Sequence, residues 1–303
     1  MTAALLHSLF HVAAFCMLPP LFLGAINKTK ALIAGRRGPA LLQVYFDLFK
    51  LLRKDMVLSE TTTGVFLAGP VVAVVTAIGA GLLTPVAGHG APLVFAGDFV
   101  LFCYLLALGR FFTISAALDT GSPFEGMGAA REAAYSCLAE PALFVGLAAL
   151  SHVSGSMTLS GIVEGTDIAP ISVIALVAAA WFLVLLAENS RIPFDDPNTH
   201  LELTMIHEVM VLDHSGPAFG LVLYGAALKL FVMSALLSAV ALPFGALHPL
   251  PGWAVFLCAM LAMAVIIGAV ESGMARLRLN VAPKLLFCAS LLSAFALVLL
   301  ARA

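Results

Sequence analysis

The chain has 303 residues, of which 62% are hydrophobic and only 11% charged, with a formal net charge of −2. A mean hydropathy of +1.07 excludes a soluble globular core. Runs of about 20 apolar residues, each long enough to cross a ~30 Å hydrocarbon layer, recur along the whole length.

Eight spans are predicted, at roughly 4–26, 64–84, 98–118, 130–152, 170–190, 217–241, 252–271 and 283–301. Strand-like alternation is absent, and lipid admits only helices or closed barrels, so these spans are helices. The expected fold is an all-α polytopic membrane protein, one membrane domain over 1–303. The first span carries no Lys or Arg ahead of its apolar run, is too long for a signal-peptide core and ends in Pro19-Pro20 without a small-residue cleavage site. It is therefore expected to be a genuine helix.

The segment after it has structure of its own. From Pro39, a residue suited to a helix start, Leu41, Leu42, Tyr45, Leu48, Phe49 and Leu52 form an apolar stripe at helical spacing, with Asp47, Lys50 and Arg53 off it. This pattern predicts an amphipathic helix lying in the membrane interface, serving as an anchor, a cavity wall or a docking surface.

Basic residues set the orientation. Loops 27–63, 119–131, 188–216 and 272–284 hold Lys28, Lys30, Arg36, Arg37, Lys50, Arg53, Lys54, Arg131, Arg191, Arg276, Arg278 and Lys284, whereas 85–97, 153–169 and 242–251 hold none. The former loops face the cytoplasm and both termini face outward, which requires an even number of spans. Of the 17 acidic residues only Asp98, Glu164 and Asp167 fall on the outer side, a bias that favours a hydrated, negatively charged cavity opening inward.

Three ionisable residues lie within spans: Arg110, Glu140 and Lys229. Burying such groups costs several kcal/mol each unless they are paired or hydrated. At about 1.5 Å per residue, Arg110 and Glu140 each lie about 13 Å from the cytoplasmic edge and Lys229 about 18 Å. Arg110 and Glu140 can therefore meet at one level. They form either a neutralised structural pair or part of a proton relay in which Glu140 or Lys229 exchanges protons and Arg110 is a fixed counter-charge.

The segment Glu188–Gly216 is the most polar of the chain, with Glu188, Asp195, Asp196, Glu202, Glu208 and Asp213 beside three histidines. Together with Glu132 and Glu271 at the ends of the fourth and seventh spans, it offers a path of carboxylates from water towards the membrane centre. The expected relay is Glu140, Glu188, Glu202, Glu208, Asp213, Lys229, Glu132 and Glu271. Arg110, Arg131, Arg191, Asp195, Asp196 and Asp119 serve as loop charges and counter-charges. His200, His207 and His214 recur every seven residues, about 10.5 Å apart on one helix, too far for ligand bonds of about 2.1 Å to one metal. The five cysteines (Cys16, Cys103, Cys137, Cys258, Cys288) all fall in spans with no C-x-x-C, and read as packing residues. No metal or cofactor is expected in this chain.

Four blocks carry a resemblance: Arg36–Leu51 (RRGPALLQVYFDLFKL), Ala107–Glu132, Glu188–Glu202 (ENSRIPFDDPNTHLE) and Leu228–Gly245. The chain resembles the membrane-arm heel subunit of respiratory complex I, the NADH dehydrogenase subunit 1-like family, on the side of the hydrogenase-4/formate hydrogenlyase branch. The complex I pattern has closely spaced glutamates after Pro-Phe-Asp; here Asn198 and His200 replace two and Glu202 remains, which favours the hydrogenase branch over quinone reduction.

The resemblance implies a non-catalytic subunit in the inner membrane of a prokaryote, coupling a peripheral module to proton or sodium movement, with Arg36 and Arg37 in docking. Implied partners are NiFe hydrogenase large and small subunits, an iron–sulfur protein and antiporter-like membrane subunits, the NiFe centre and clusters residing in those partners; no nucleic acid is expected. A quinone-reacting heel of a complex I-like oxidoreductase and a free-standing ion transporter are the competing readings.

Overall fold

A computed structural model describes residues 2–86, 88–195, 205–242 and 249–301. Among them the chain is helical throughout, with one isolated bridge between Val86 and His89 in place of any strand. The helices are α1 (Thr2–Met17), α2 (Pro19–Ile33), α3 (Gln43–Leu52), α4 (Gly64–Leu83), α5 (Asp98–Asp119), α6 (Pro123–Ser154), α7 (Leu159–Glu164), α8 (Ile171–Glu188), α9 (Gly216–Ala241), α10 (Pro249–Gly273) and α11 (Ala282–Ala301). Seven are long and apolar enough to cross a membrane, and eight spans result when the bent pair α1 and α2 counts as one. The protein is a multi-pass membrane protein of the expected class.

Three boundaries differ from the sequence expectation. Pro19-Pro20 does not end the first span: prolines fit the first turn of a helix, so the chain bends by 49° and continues to Ile33. Lys28 and Lys30 are therefore helical. The amphipathic helix begins at Gln43, not Pro39, after a turn at Leu41 and Leu42. α6 starts seven residues earlier than expected, with Pro123 in its first turn, so Glu125, Arg131 and Glu132 ride on one helix of 32 residues. On the outer side, the expected loop 153–169 contains α7, capped by Thr158, whose side chain accepts the Gly161 N–H.

α9 is the central helix. Leu228, Phe231, Val232, Ala235, Leu236 and Ala239 are all buried, and it packs on α1, α2, α3, α4, α8 and α10. Phe15, Phe22, Phe231 and Phe256 close the bundle around it through edge-on ring contacts. α11 packs on α6 and α8, and α10 on α2. The outward residues Leu101, Leu108 and Phe111 of α5 and Phe287, Leu291 and Phe295 of α11 are exposed, as side chains meeting lipid require. Cys137, Cys258 and Cys288 also lie on this outer surface, so only Cys16 and Cys103 act in packing as the sequence suggested. α3 docks on α9 and α2: Leu48 is buried, the Tyr45 hydroxyl donates to the Met17 carbonyl, and Phe46 and Phe49 stay exposed.

The polar segment after α8 folds into the bundle. Phe194, Met205, Ile206, Val209 and Met210 are all almost fully buried, and the 3-10 turn Glu208–Val211 lies against α6. A Cβ on Gly128 would come within 2.4 Å of a Val209 methyl and 2.8 Å of the Ile206 carbonyl, so glycine there is what lets the turn seat. The Arg131 guanidinium fixes the same point, donating to the Met205 carbonyl at 2.7 Å.

Candidate functional site

α5 presents Arg110, α6 Glu132 and Glu140, α9 Lys229, and α8 terminates on Glu188. Small residues bring these helices together: a Cβ on Gly109 would sit 2.5 Å from the Thr76 hydroxyl, and one on Gly225 3.3 Å from Val74. Four of the charged groups then link in alternating sign. Arg110 Nη2 lies 2.9 Å from Glu140 Oε1, Arg110 Nη1 2.7 Å from Glu188 Oε1, and Lys229 Nζ 2.7 Å from Glu188 Oε2. The Lys229 ammonium also donates to the Glu188 carbonyl at 2.8 Å. That contact satisfies one of the open carbonyls at the negative end of α8.

Arg110 and Glu140 thus meet as the counting of turns suggested. Glu188, expected at the cytoplasmic end of the fifth span, is buried. Its contact with Lys229 places the end of α8 inside the bundle.

The four linked charges cancel. Glu132 is a fifth: it is buried and makes no ion pair with a described residue. It lines a cavity of about 80 Å³ together with Arg110, Glu188, Lys229, His207 and His214. That volume accommodates a few water molecules. The Nδ1 of His207, both ring nitrogens of His214 and the Asn189 side-chain oxygen are shielded there without a protein hydrogen-bond partner among the described residues, which makes water their natural partner. Pro70, Leu106, Met210 and Val222 form the apolar walls.

A second network sits beside the first. Glu271 is held by Lys30 at 2.7 Å and Arg191 at 3.2 Å, tying α2, α10 and the inward-folded segment together. Asp195 pairs with Arg276 at 2.9 Å and accepts the backbone N–H groups of Ile206 and His207, both at 3.1 Å.

The remaining predicted residues scatter. Glu208 is half-buried on its turn, and Asp213 is exposed, its backbone N–H donating to Glu125 at 3.1 Å. Asp119 is not a counter-charge to the cluster. It caps α4, accepting the N–H groups of Thr63 and Phe66 at 2.6 and 3.2 Å. Arg36 and Arg37 are exposed beyond α2. Asp196 and Glu202 lie outside the described residues. Among the described residues, no three His, Cys, Asp or Glu side chains converge as a metal site.

Sequence reasoning missed Lys30, Arg276, Glu125 and the cavity-facing roles of His207 and His214. The complementary charges of Lys30 and Glu271 at neighbouring helix ends were a readable signal; the histidines were not, because their placement depends on the inward fold.

A family model described as NADH dehydrogenase matches residues 6–302. The chain belongs to the NADH dehydrogenase family. Formate hydrogenlyase subunit 4 of Escherichia coli is 32% identical over 293 residues, covering 93% of this chain and 94% of that relative. Hydrogenase-4 component C of the same organism is 34% identical, covering 76% and 72%. The family fold is also that of a chain in the membrane-bound sulfane sulfur reductase, an archaeal respiratory membrane complex. That chain has a TM-score of 0.84 and 24% identity, with 98% and 99% of the two chains covered.

Two consequences are measurable. Glu188→Gln leaves Arg110 and Lys229 short of a counter-charge, a loss of roughly 3–5 kcal/mol for a broken buried pair. Thermal unfolding in detergent should therefore fall much more for Glu188→Gln than for Glu132→Gln; equal losses would contradict the pairing.

The pKa of His207, outside the spans, is pushed down to about 4, first by burial and then by Lys229, against the pull of Asp195 and Glu188. Its folded value lies below the unfolded one of about 6.5, so its contribution to stability is complete above that pH and is lost as pH falls towards about 4. The melting temperature should drop over that window in the wild type and drop less in His207→Gln, as read by a pH series of unfolding curves.

Proposed function

We propose that this chain is the membrane subunit that couples a peripheral NiFe hydrogenase module to ion translocation, in a complex of the hydrogenase-4/formate hydrogenlyase type. The similarity to formate hydrogenlyase subunit 4 over nearly the full length of both chains supports the assignment. The observation that carries the mechanism is the unbroken series Glu140, Arg110, Glu188 and Lys229 beside a largely apolar cavity that Glu132, His207 and His214 also line.

In this reading Glu188 and Arg110 are fixed charges. A change in the acidic segment, transmitted through Asp195, His207 and the turn at Glu208–Val211, alters the potential in the cavity and so the proton affinity of Glu132. The charge shift passes along the series to Glu140. Redox chemistry belongs to the partner subunits, which carry the NiFe centre and iron–sulfur clusters, and this chain holds no cofactor. Arg36 and Arg37 offer an exposed basic edge for docking the peripheral module on the cytoplasmic face of a prokaryotic inner membrane.

Glu140 distinguishes this reading from a free-standing transporter. Its side chain is 52% exposed midway along α6, at a depth where bulk solvent is absent. A carboxylate there costs several kcal/mol facing lipid. It calls for a neighbouring membrane subunit with a polar group or water opposite it, the position an antiporter-like subunit would take.

Glu140→Gln should abolish coupled proton movement in membrane vesicles while leaving the complex intact on native gels. Vesicles that acidify normally with this variant would refute the role of the series.

A further inference from the structure

Most carboxylates near the cavity are already committed. Glu188 is bound by two cations, Glu271 by two more, and Asp195 by Arg276 and two backbone N–H groups. These carboxylates are held in place by their ion pairs and hydrogen bonds and act as fixed charges. Among the described residues, three titratable side chains of the cavity wall remain without an ion pair: Glu132 and the imidazoles of His207 and His214, the last of which is stacked on the Phe66 ring.

His207 is also where the two networks touch. Its backbone N–H is held by Asp195 at 3.1 Å, its carbonyl accepts the Met210 N–H at 3.1 Å, and its ring faces the cavity shared with Glu132, Glu188 and Lys229. Its Nδ1 is shielded and meets no protein partner among the described residues. An imidazole can take a proton at one nitrogen and release one from the other, which a carboxylate locked in ion pairs cannot.

Resting on the coupling role proposed above, we propose that His207 is the proton carrier that fills the cavity acid Glu132 from the cytoplasmic side. A hydronium ion from the cytoplasmic side gives a proton to the free ring nitrogen, forming the imidazolium and leaving water. The imidazolium releases a proton, through cavity water, to the Glu132 carboxylate, forming its O–H and restoring neutral His207. No redox partner is consumed in this step.

The surrounding charges fit the transfer. Lys229 on α9 disfavours a lasting imidazolium, while Asp195 and Glu188 at the end of α8 favour it. Burial wins and leaves the ring neutral at rest, ready to accept.

The test uses the assembled complex in inverted membrane vesicles, measuring H2 turnover and dye-reported proton movement together. His207→Ala should lower coupled turnover by at least about a hundredfold, the usual worth of a positioned proton-transfer group. Added imidazole, which fits the space the side chain vacates, should restore it. His207→Gln, which keeps bulk and hydrogen bonding but cannot titrate, should be as slow and gain nothing from imidazole.

Full activity in His207→Gln, or a His207→Ala defect that imidazole leaves unchanged in a complex intact on native gels, would overturn the assignment. If His207→Ala fails to assemble, His207→Gln alone decides. Glu132→Gln separates the two levels: normal coupling in it defeats the coupling role itself, whereas a dead Glu132→Gln beside a fully active His207→Gln defeats only the carrier.

Discussion

The structure depends on Glu188 being held between Arg110 and Lys229. A carboxylate at the C-terminus of a helix opposes the helix dipole, and inside a membrane bundle it would be strongly destabilising alone. Two cations from different helices reverse that balance, each within 2.7 Å. The same contact fixes the depth at which α8 ends, and with it where the polar segment begins. Because Arg110 also reaches Glu140, a constraint that settles packing on the inside extends to the outer surface of α6.

The inward fold of the acidic segment follows from ordinary packing. Its apolar residues, Met205, Ile206, Val209 and Met210, are spaced to bury one side of a short turn, and Gly128 supplies the hollow that receives it. Asp195 and Arg131 satisfy the backbone groups this folding would strand. The result is a small, largely apolar space into whose wall Glu132, His207 and His214 are set. Such a space is sensitive to small movements of its cover: a shift of the turn changes both the hydration and the charges around Glu132. On the coupling reading proposed above, this is how the segment would act on groups in the membrane without itself binding the ion.

Much of this was legible in the sequence, and the reasons are physical. The number of spans follows from bilayer thickness, and the meeting of Arg110 with Glu140 from the fixed rise of a helix. The double proline misled because Pro19 and Pro20 break the helix only by bending it, and α2 restarts on them. The joining of Glu188 to Arg110 and Lys229 was not legible, because the end of α8 is set by tertiary contacts with α5 and α9. Asp119 looked like one more acid among many; its role as the cap of α4 rests on the close approach of Thr63 from a distant part of the chain. The seven-residue recurrence of His207 with its neighbours said nothing of its place, since its position comes from the turn that packs against α6.

The central claim is that a hydrated passage connects the inner-side acids with Glu140 and leaves the protein through a neighbouring subunit. A cryo-EM map of the assembled complex at a resolution that shows water tests it most directly. The account predicts ordered water between His207, Glu132 and Lys229, with a polar partner group facing Glu140. Continuous apolar packing in that space, or lipid acyl chains against Glu140, would contradict it.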